Sequence, residues 1–345
     1  MKKLLIFVII ILSTLQIYSQ NKIEQAKDLG NQAIKLINEK KTTEAIDLLK
    51  KAQKLDPKSI FYPYEIAVAY YDKEKFPEAM KILDSLKRHP EANEQVFQLL
   101  GNCFDYLAKR DEARDIYNEG LSRFPKSGRL YMELGIISIE EDKIQEGLNF
   151  WAQGTRVQPN YDNLHYRLAK QYNKDSMDIF ALVSAETFLN LSNNDTKINE
   201  ISKLCFNIYN KSIIKNDSLG YIFSFRKSTK ENTYFELAFE MVLNRAAKNI
   251  DLSDGLNLEE LYLLRKGFFN LWYKDGINNR YGNFLYDYIN KVIQEGQFET
   301  YNYLIFYNGD PVGFQNWAQS NTDIVKEYLK WRKDNMFKFN EPEDK

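Results

Sequence analysis

The sequence predicts an all-α fold: a right-handed solenoid of about five helix hairpins, followed by a helical C-terminal module. Three observations predict it. A column of small residues recurs every 34 positions, at Ala33, Ala67, Gly101, Gly135 and Ala169. A second column keeps 12 residues behind it, at Ala45, Ala79, Ala113, Gly147 and Ala181. Pro57, Pro90, Pro125 and Pro159 close the first four units. Self-similarity at this period marks stacked supersecondary units, none of which buries its apolar face alone.

The elements follow in chain order. Lys2 and Lys3 precede an apolar run, Leu4–Leu15, of 12 residues, too short to span a bilayer. Ile17-Tyr18-Ser19 offers a cleavage site, so residues 1–19 read as a secretory signal peptide and the mature chain starts at Gln20. No cysteine follows the run, which argues against a lipid anchor. In the first unit Leu29, Ala33 and Leu36 face Ala45, Leu49 and Ala52. In the second, Ile66, Ala67 and Tyr70 face Ala79, Leu83 and Leu86.

The third unit shows the grammar most fully. Helices are expected over about Gln95–Ala108 and Asp111–Arg123. Phe97, Leu100, Gly101 and Phe104 form one stripe at i, i+3, i+4 and i+7, and Ala113, Ile116, Tyr117 and Gly120 form the facing one. Gly101 and Ala113 are small because two helices approach closely there. Pro125 cannot continue the second helix and ends the unit. The fourth unit sets Leu134 and Gly135 against Gly147, Trp151 and Gly154, and the fifth sets Leu168, Ala169 and Tyr172 against Ala181, Ala185 and Phe188.

Units of this kind resemble tetratricopeptide repeats over roughly residues 25–191. The resemblance implies a solenoid whose first helices line a concave groove that binds protein or peptide partners. Pro63 and His165 stand where an aromatic residue or Leu is usual; Pro63 lies in a first helical turn, where proline is tolerated. The basic clamp of some members is not matched, because Gly30 and Ile34 occupy positions where it needs Lys and Asn. Recognition of an acidic chaperone-type C-terminus is therefore not implied.

The 34-residue register ends near Leu191, since Lys203 and Lys215 take the next column positions. The domains are read as 1–19, signal peptide; 20–192, repeat solenoid; and 193–345, helical capping or interaction module. Asn193-Asn194-Asp195-Thr196 reads as a turn and helix cap, with a helix over about 198–214 and another turn at Lys215-Asn216-Asp217-Ser218. Residues 221–345 hold 26 of the 49 aromatic residues, which marks a distinct module. Helices are expected at about Tyr234–Ala247, Leu258–Tyr273, Asn283–Glu295, Phe298–Phe306, Val312–Gln319 and Asp323–Asn335. No alternating apolar run argues for a sheet. This half resembles the helical tail of exported repeat proteins, which implies architecture only.

Without residues 1–19 the chain carries 45 basic and 48 acidic residues, so neither nucleic acid nor an anionic membrane is an expected partner. No second apolar run reaches spanning length, so stable membrane insertion is not expected after signal cleavage. The export signal suits a bacterial envelope protein, periplasmic or surface-exposed. Cys103 and Cys205 read as buried thiols. His165 points with its unit's apolar stripe and reads as structural, and His89 stands in a turn beside Pro90. These four make no metal cluster. The chain has no G-x-S-x-G, H-E-x-x-H, Walker A or G-x-G-x-x-G string. Neither enzyme activity nor a cofactor is expected.

The functional expectation is an interaction scaffold. By helical phase the groove of units two to four takes Phe61, Tyr64, Val68 and Tyr71, then Gln95, Gln98, Asn102, Asp105 and Tyr106, then Arg129 and Met132. Such amides can bond a peptide backbone, the aromatics supply apolar area, and Arg129 can pair with a carboxylate. A second reading is glycan or surface-polymer binding by the C-terminal module, through Trp272, Tyr273, Phe314 and Trp317, which border turn signals. A hidden enzyme in the C-terminal half is a third.

Overall fold

Each small residue of the two columns lies at a buried position of a helix, and the helices pair as hairpins. The structure, a computed structural model, describes residues 2–216, 220–225 and 234–339, with side chains from Gln20 onward. The chain divides into two bodies, Met1–Phe150 and Trp151–Lys345.

In the first body α1 (Lys2–Asn38) pairs with α2 (Thr42–Leu55), α3 (Phe61–Tyr71) with α4 (Phe76–Leu86), and α5 (Glu94–Tyr106) with α6 (Arg110–Arg123). Helix α7 (Gly128–Glu140) and the start of α8 (Ile144–Val157) complete it. Ala33, Ala45, Ala67, Ala79 and Ala113 are fully buried. At the fourth unit a β-carbon on Gly147 would stand 2.8 Å from the Gly135 carbonyl, which is backbone against backbone. Two apolar cores run through the body, one around Ala33, Leu49 and Ile66 and one around Leu83, Phe97 and Leu134.

A further column emerges from the backbone. Lys40, Glu74, Ala108, Asp142 and Ser176 all adopt left-handed φ, between 57° and 62°, at intervals of 34. In the third unit Lys109 N–H bonds to Phe104 O at 2.9 Å and Ala108 N–H to Asp105 O at 2.8 Å. The other four turns repeat the longer, six-residue bond, for example Lys41 N–H to Leu36 O and Met177 N–H to Tyr172 O, each at 2.8 Å. These are Schellman stops, in which a left-handed residue lets the chain turn back and satisfies helix-end carbonyls. None of the five residues is glycine.

The second body begins with the end of α8 and the fifth hairpin, α9 (Asp162–Lys174) on α10 (Asp178–Leu191). Then come α11 (Asp195–Lys211), strands β1 (Ile213–Asn216) and β2 (Gly220–Phe223), and α12 (Tyr234–Ala246). Helices α13 (Leu258–Lys274), α14 (Phe284–Gln294), α15 (Phe298–Phe306), α16 (Pro311–Ser320) and α17 (Thr322–Asp334) follow. Asn194 caps α11, Asn257 and Glu260 form a capping box on α13, and Asp310 caps α16 just before its Pro311. One continuous core runs from Ala169 and Phe188 of the fifth hairpin through Phe206, Phe239, Phe268 and Trp272 to Phe306 and Tyr328. The sequence register sets a boundary at 192/193, whereas this core joins the fifth hairpin to the helices after it.

The expected helices all form, with ends shifted by up to three residues. The antiparallel pair β1–β2 was not expected. Ile213 pairs with Phe223 and Asn216 with Gly220. Lys215 and Asn216, expected in a turn, are strand residues, while Asp217 and Ser218 lie outside the described residues. The outer edge of Phe223 is completed by a side chain: its N–H donates to Asn244 Oδ1 at 2.7 Å, and Asn244 Nδ2 donates to its carbonyl at 2.8 Å.

At the centre of this core lies a buried polar network. Arg265 is 1% exposed; it donates to Glu186 and, at 2.7 Å, to Asn302 Oδ1. Tyr301 donates to Glu186 at 2.8 Å and accepts from Asn190 at 2.9 Å. The guanidinium also lies 4.7 Å from the Phe306 ring centre. This surround offsets part of the cost of removing both charges from water, while Arg265 Nε and Asn302 Nδ2 are buried without a hydrogen-bond partner.

Candidate protein-binding face

The helical-phase rule brings together residues from three first helices, and the packing makes them one surface. Helix α5 touches both α3 and α7, so the first helices lie side by side. Tyr64 on α3, Gln98 on α5 and Arg129 on α7 follow one another across that face. Arg129 donates to Gln98 Oε1 at 2.9 Å, and Gln98 Nε2 donates to Glu133. Burial raises the Tyr64 phenol to about 12, and the charge of Arg129 partly opposes the rise. The phenol is therefore neutral at physiological pH and can still donate.

At one end of the face the side chains are aromatic. Tyr106, 68% exposed, stacks on Phe76 at 5.2 Å and meets the Tyr71 ring edge-on at 5.5 Å. Phe61 is also exposed, and Tyr64, Val68 and Tyr71 are half-buried. Asp105 lies 3.7 Å from Arg110, which bonds to Glu140 at 2.8 Å. Gln95 is half-buried at the start of α5, beside the Asn93 cap.

Two of the expected groove residues are placed differently. Met132 is 8% exposed and belongs to the packing beneath the face. Asn102 is held by Tyr117, whose hydroxyl donates to its Oδ1 at 2.6 Å, so that carbonyl serves the hairpin. Sequence phase also missed Glu133, Phe76 and Arg110. Glu133 and Phe76 are buried and support the face from beneath, through Gln98 and Tyr106, and Arg110 reaches its edge from a second helix.

The expected aromatic surface of the C-terminal module does not form as one patch. Trp272 is fully buried, packed on Phe268 and Tyr286, and is a core residue. Its i−4 spacing from Phe268 places it on the apolar stripe of α13 despite the turn that follows. Tyr273 is half-buried and donates to Asp287 at 2.8 Å. Trp317 stacks on Tyr303 at 4.0 Å and donates to Glu299 at 2.9 Å, with Phe314 beside it. These rings are engaged within the fold.

His165 is buried, and its Nε2 lies 2.8 Å from Pro159 O. Cys103 and Cys205 are both buried; burial pushes the Cys103 thiol up to about 12 and the Cys205 thiol higher still. A cavity of the second body, about 1190 Å³, is bordered by Asp195 as its one carboxylate and by Arg332, Lys333 and Lys338.

Five hairpins in 34-residue register, small residues at their close approaches and adjacent first helices decide the class. This is an all-α helical repeat protein. The repeat fold is similar to that of PilF from Pseudomonas aeruginosa, at 16% identity over 54% of this chain and 84% of that one, with a TM-score of 0.43. It is also similar to YrrB, described as a TPR protein with an unusual peptide-binding site, at 19% identity over 52% and 94%, TM-score 0.34. The Cut9–Hcn1 hetero-tetramer of APC/C gives 16% identity over 74% and 46%, TM-score 0.44. Neither a protein-family model nor a curated protein matches the chain. The assignment rests on the repeat geometry.

Proposed function

We propose that this chain is a non-enzymatic protein-binding scaffold, exported to the bacterial envelope, that takes an extended segment of a partner across α3, α5 and α7. One observation carries the reading. Exposed Tyr106, stacked on the buried Phe76 and edge-on to the half-buried Tyr71, shares α5 with Gln98, whose amide joins Arg129 and Glu133 of α7. Aromatic anchors with low rotamer entropy beside prearranged polar groups suit recognition of a peptide main chain and its apolar side chains. The export reading rests on the Lys2–Ser19 pattern, and a mature chain beginning at Gln20 is its direct check by N-terminal sequencing.

The face is tested by capture from an envelope fraction, followed by crosslinking mass spectrometry. The wild-type chain should crosslink a partner through positions around Tyr106. Joint replacement Tyr106→Ala, Gln98→Ala and Arg129→Ala should abolish that capture while circular dichroism stays unchanged. Equal capture by the folded triple variant would remove the assignment.

A further inference from the structure

After α17 the chain runs without regular secondary structure, and residues 336–339 settle against the fifth hairpin and α14. The burial of successive residues alternates: Met336 exposed, Phe337 4% exposed, Lys338 exposed, Phe339 half-buried. That alternation is the signature of extended chain presenting one face inward. Asn160, in the turn before α9, holds this segment by its main chain. The Phe339 N–H donates to Asn160 Oδ1 at 2.8 Å, and Asn160 Nδ2 donates to the Phe339 carbonyl at 2.9 Å. These two bonds are what a neighbouring β-strand would make. Asn244 holds Phe223 in the same way.

The side chains sit in aromatic seats. Phe339 stacks on Phe284 at 4.7 Å and lies parallel to His165 at 6.0 Å. Phe337 packs edge-on to Tyr288 at 5.2 Å and to Phe284 at 5.7 Å. The seat of Phe339 is not full. A cavity of about 270 Å³ remains beside it, lined by Tyr172 and Phe180 among others.

Such a seat reads backbone through an amide and selects side chains through alternate pockets, which is how extended peptides are recognised. Its anchors on the resident segment are two hydrogen bonds and two rings, with the intervening lysine in solvent. Phe337 joins the core while Phe339 is only half-buried, so the Phe339 end of the segment is the part that belongs to the low-stability end of the fold.

We propose that Asn160, His165, Phe284 and Tyr288 form a peptide-recognition site for an extended aromatic–x–aromatic segment of a partner protein, and that Phe337-Lys338-Phe339 is the resident occupant which that segment displaces. The site shares no residue with the face on α3, α5 and α7, so the two readings stand or fall separately. Tethering gives the resident segment a high effective concentration, so the wild-type chain shows the site only in its open fraction and binds an outside segment correspondingly weakly.

The test uses the full chain and a fluorescent peptide carrying the sequence of residues 334–341, followed by polarisation. Phe339→Ala should bind the peptide at least about tenfold more tightly than wild type, as expected when the open fraction rises. Adding Asn160→Ala to that variant should remove the gain. Equal affinity for wild type and Phe339→Ala, or a gain that survives Asn160→Ala, would overturn the proposal. Should Phe339→Ala fail to fold, hydrogen exchange on the wild type decides. Saturating peptide should speed exchange of the Phe339 N–H, and an unchanged rate would overturn displacement. Concentration-dependent dimers formed by exchange of the segment would assign the occupant as a second copy and overturn the partner reading.

Discussion

The Tyr117 ring lies where a β-carbon on Gly101 would stand: Cε1 would be 2.1 Å from that carbon. The ring cannot retreat easily, because its hydroxyl is bonded to Asn102 at 2.6 Å and the side chain is 1% exposed. Gly101→Ala gains about 1 kcal/mol of helix propensity and meets an overpacking cost of about 1–3 kcal/mol. Net destabilisation is expected, read as a lower urea midpoint. Tyr117→Leu in the same chain should recover part of the loss, and additive effects of the two changes would refute the contact as its cause.

Ala108 closes the first helix of the third hairpin at φ 57° and is exposed. Left-handed backbone costs an L-residue about 1–2 kcal/mol, part of which glycine returns through its freer unfolded chain. Ala108→Gly should therefore raise stability by roughly 0.5–1 kcal/mol, whereas Ala108→Val should lower it by at least as much. Thermal unfolding of the three chains provides the comparison. A destabilised glycine variant would contradict the turn geometry.

Arg265→Met should cost about 3–5 kcal/mol, because Glu186 is left buried with no cation. Replacing both, Arg265→Met with Glu186→Gln, should restore a large share of it, since the charge is removed together with its partner. Urea unfolding of the two variants and the wild type measures the difference. A double variant as unstable as the single one would mean that the network acts through shape and not through charge.

His165 supplies a pH test. Burial lowers its pKa below the ordinary 6.5, with the Pro159 carbonyl opposing the shift and Asp162 adding to that opposition. Below about 6.5 the unfolded chain takes up a proton that the folded chain resists, so this contribution to stability is complete above that pH and is lost as the pH falls. The stability of the wild type relative to His165→Gln should accordingly shrink between pH 7.5 and pH 5. Parallel pH profiles would show that His165 titrates alike in both states.

Much of this fold is legible in the sequence because the constraint is steric and acts on residue identity. Ala and Gly recur wherever two helices nearly touch, so the hairpins and their register can be read directly. The left-handed turn column is not legible, because Lys40, Glu74, Ala108, Asp142 and Ser176 share a backbone conformation and no composition. The β1–β2 pair escapes for a related reason: its edge is satisfied by Asn244, 21 positions away, and its two four-residue strands carry no alternation. Helical phase finds the face of Tyr64, Gln98 and Arg129. It does not find that Gln98 is committed to Glu133, or that Asn102 serves Tyr117, since those partners lie off the stripe. The core position of Trp272 is legible in its spacing to Phe268, whereas the adjacent Lys274-Asp275-Gly276 turn signals solvent.

Helix α10 is covered nearly all round, with eleven of its fourteen residues buried. A fragment ended at Leu191 would bare Phe188, Leu189 and the Glu186 carboxylate together, a greasy flank with a charge at its centre. Expression trials that trim the gene there should give insoluble material.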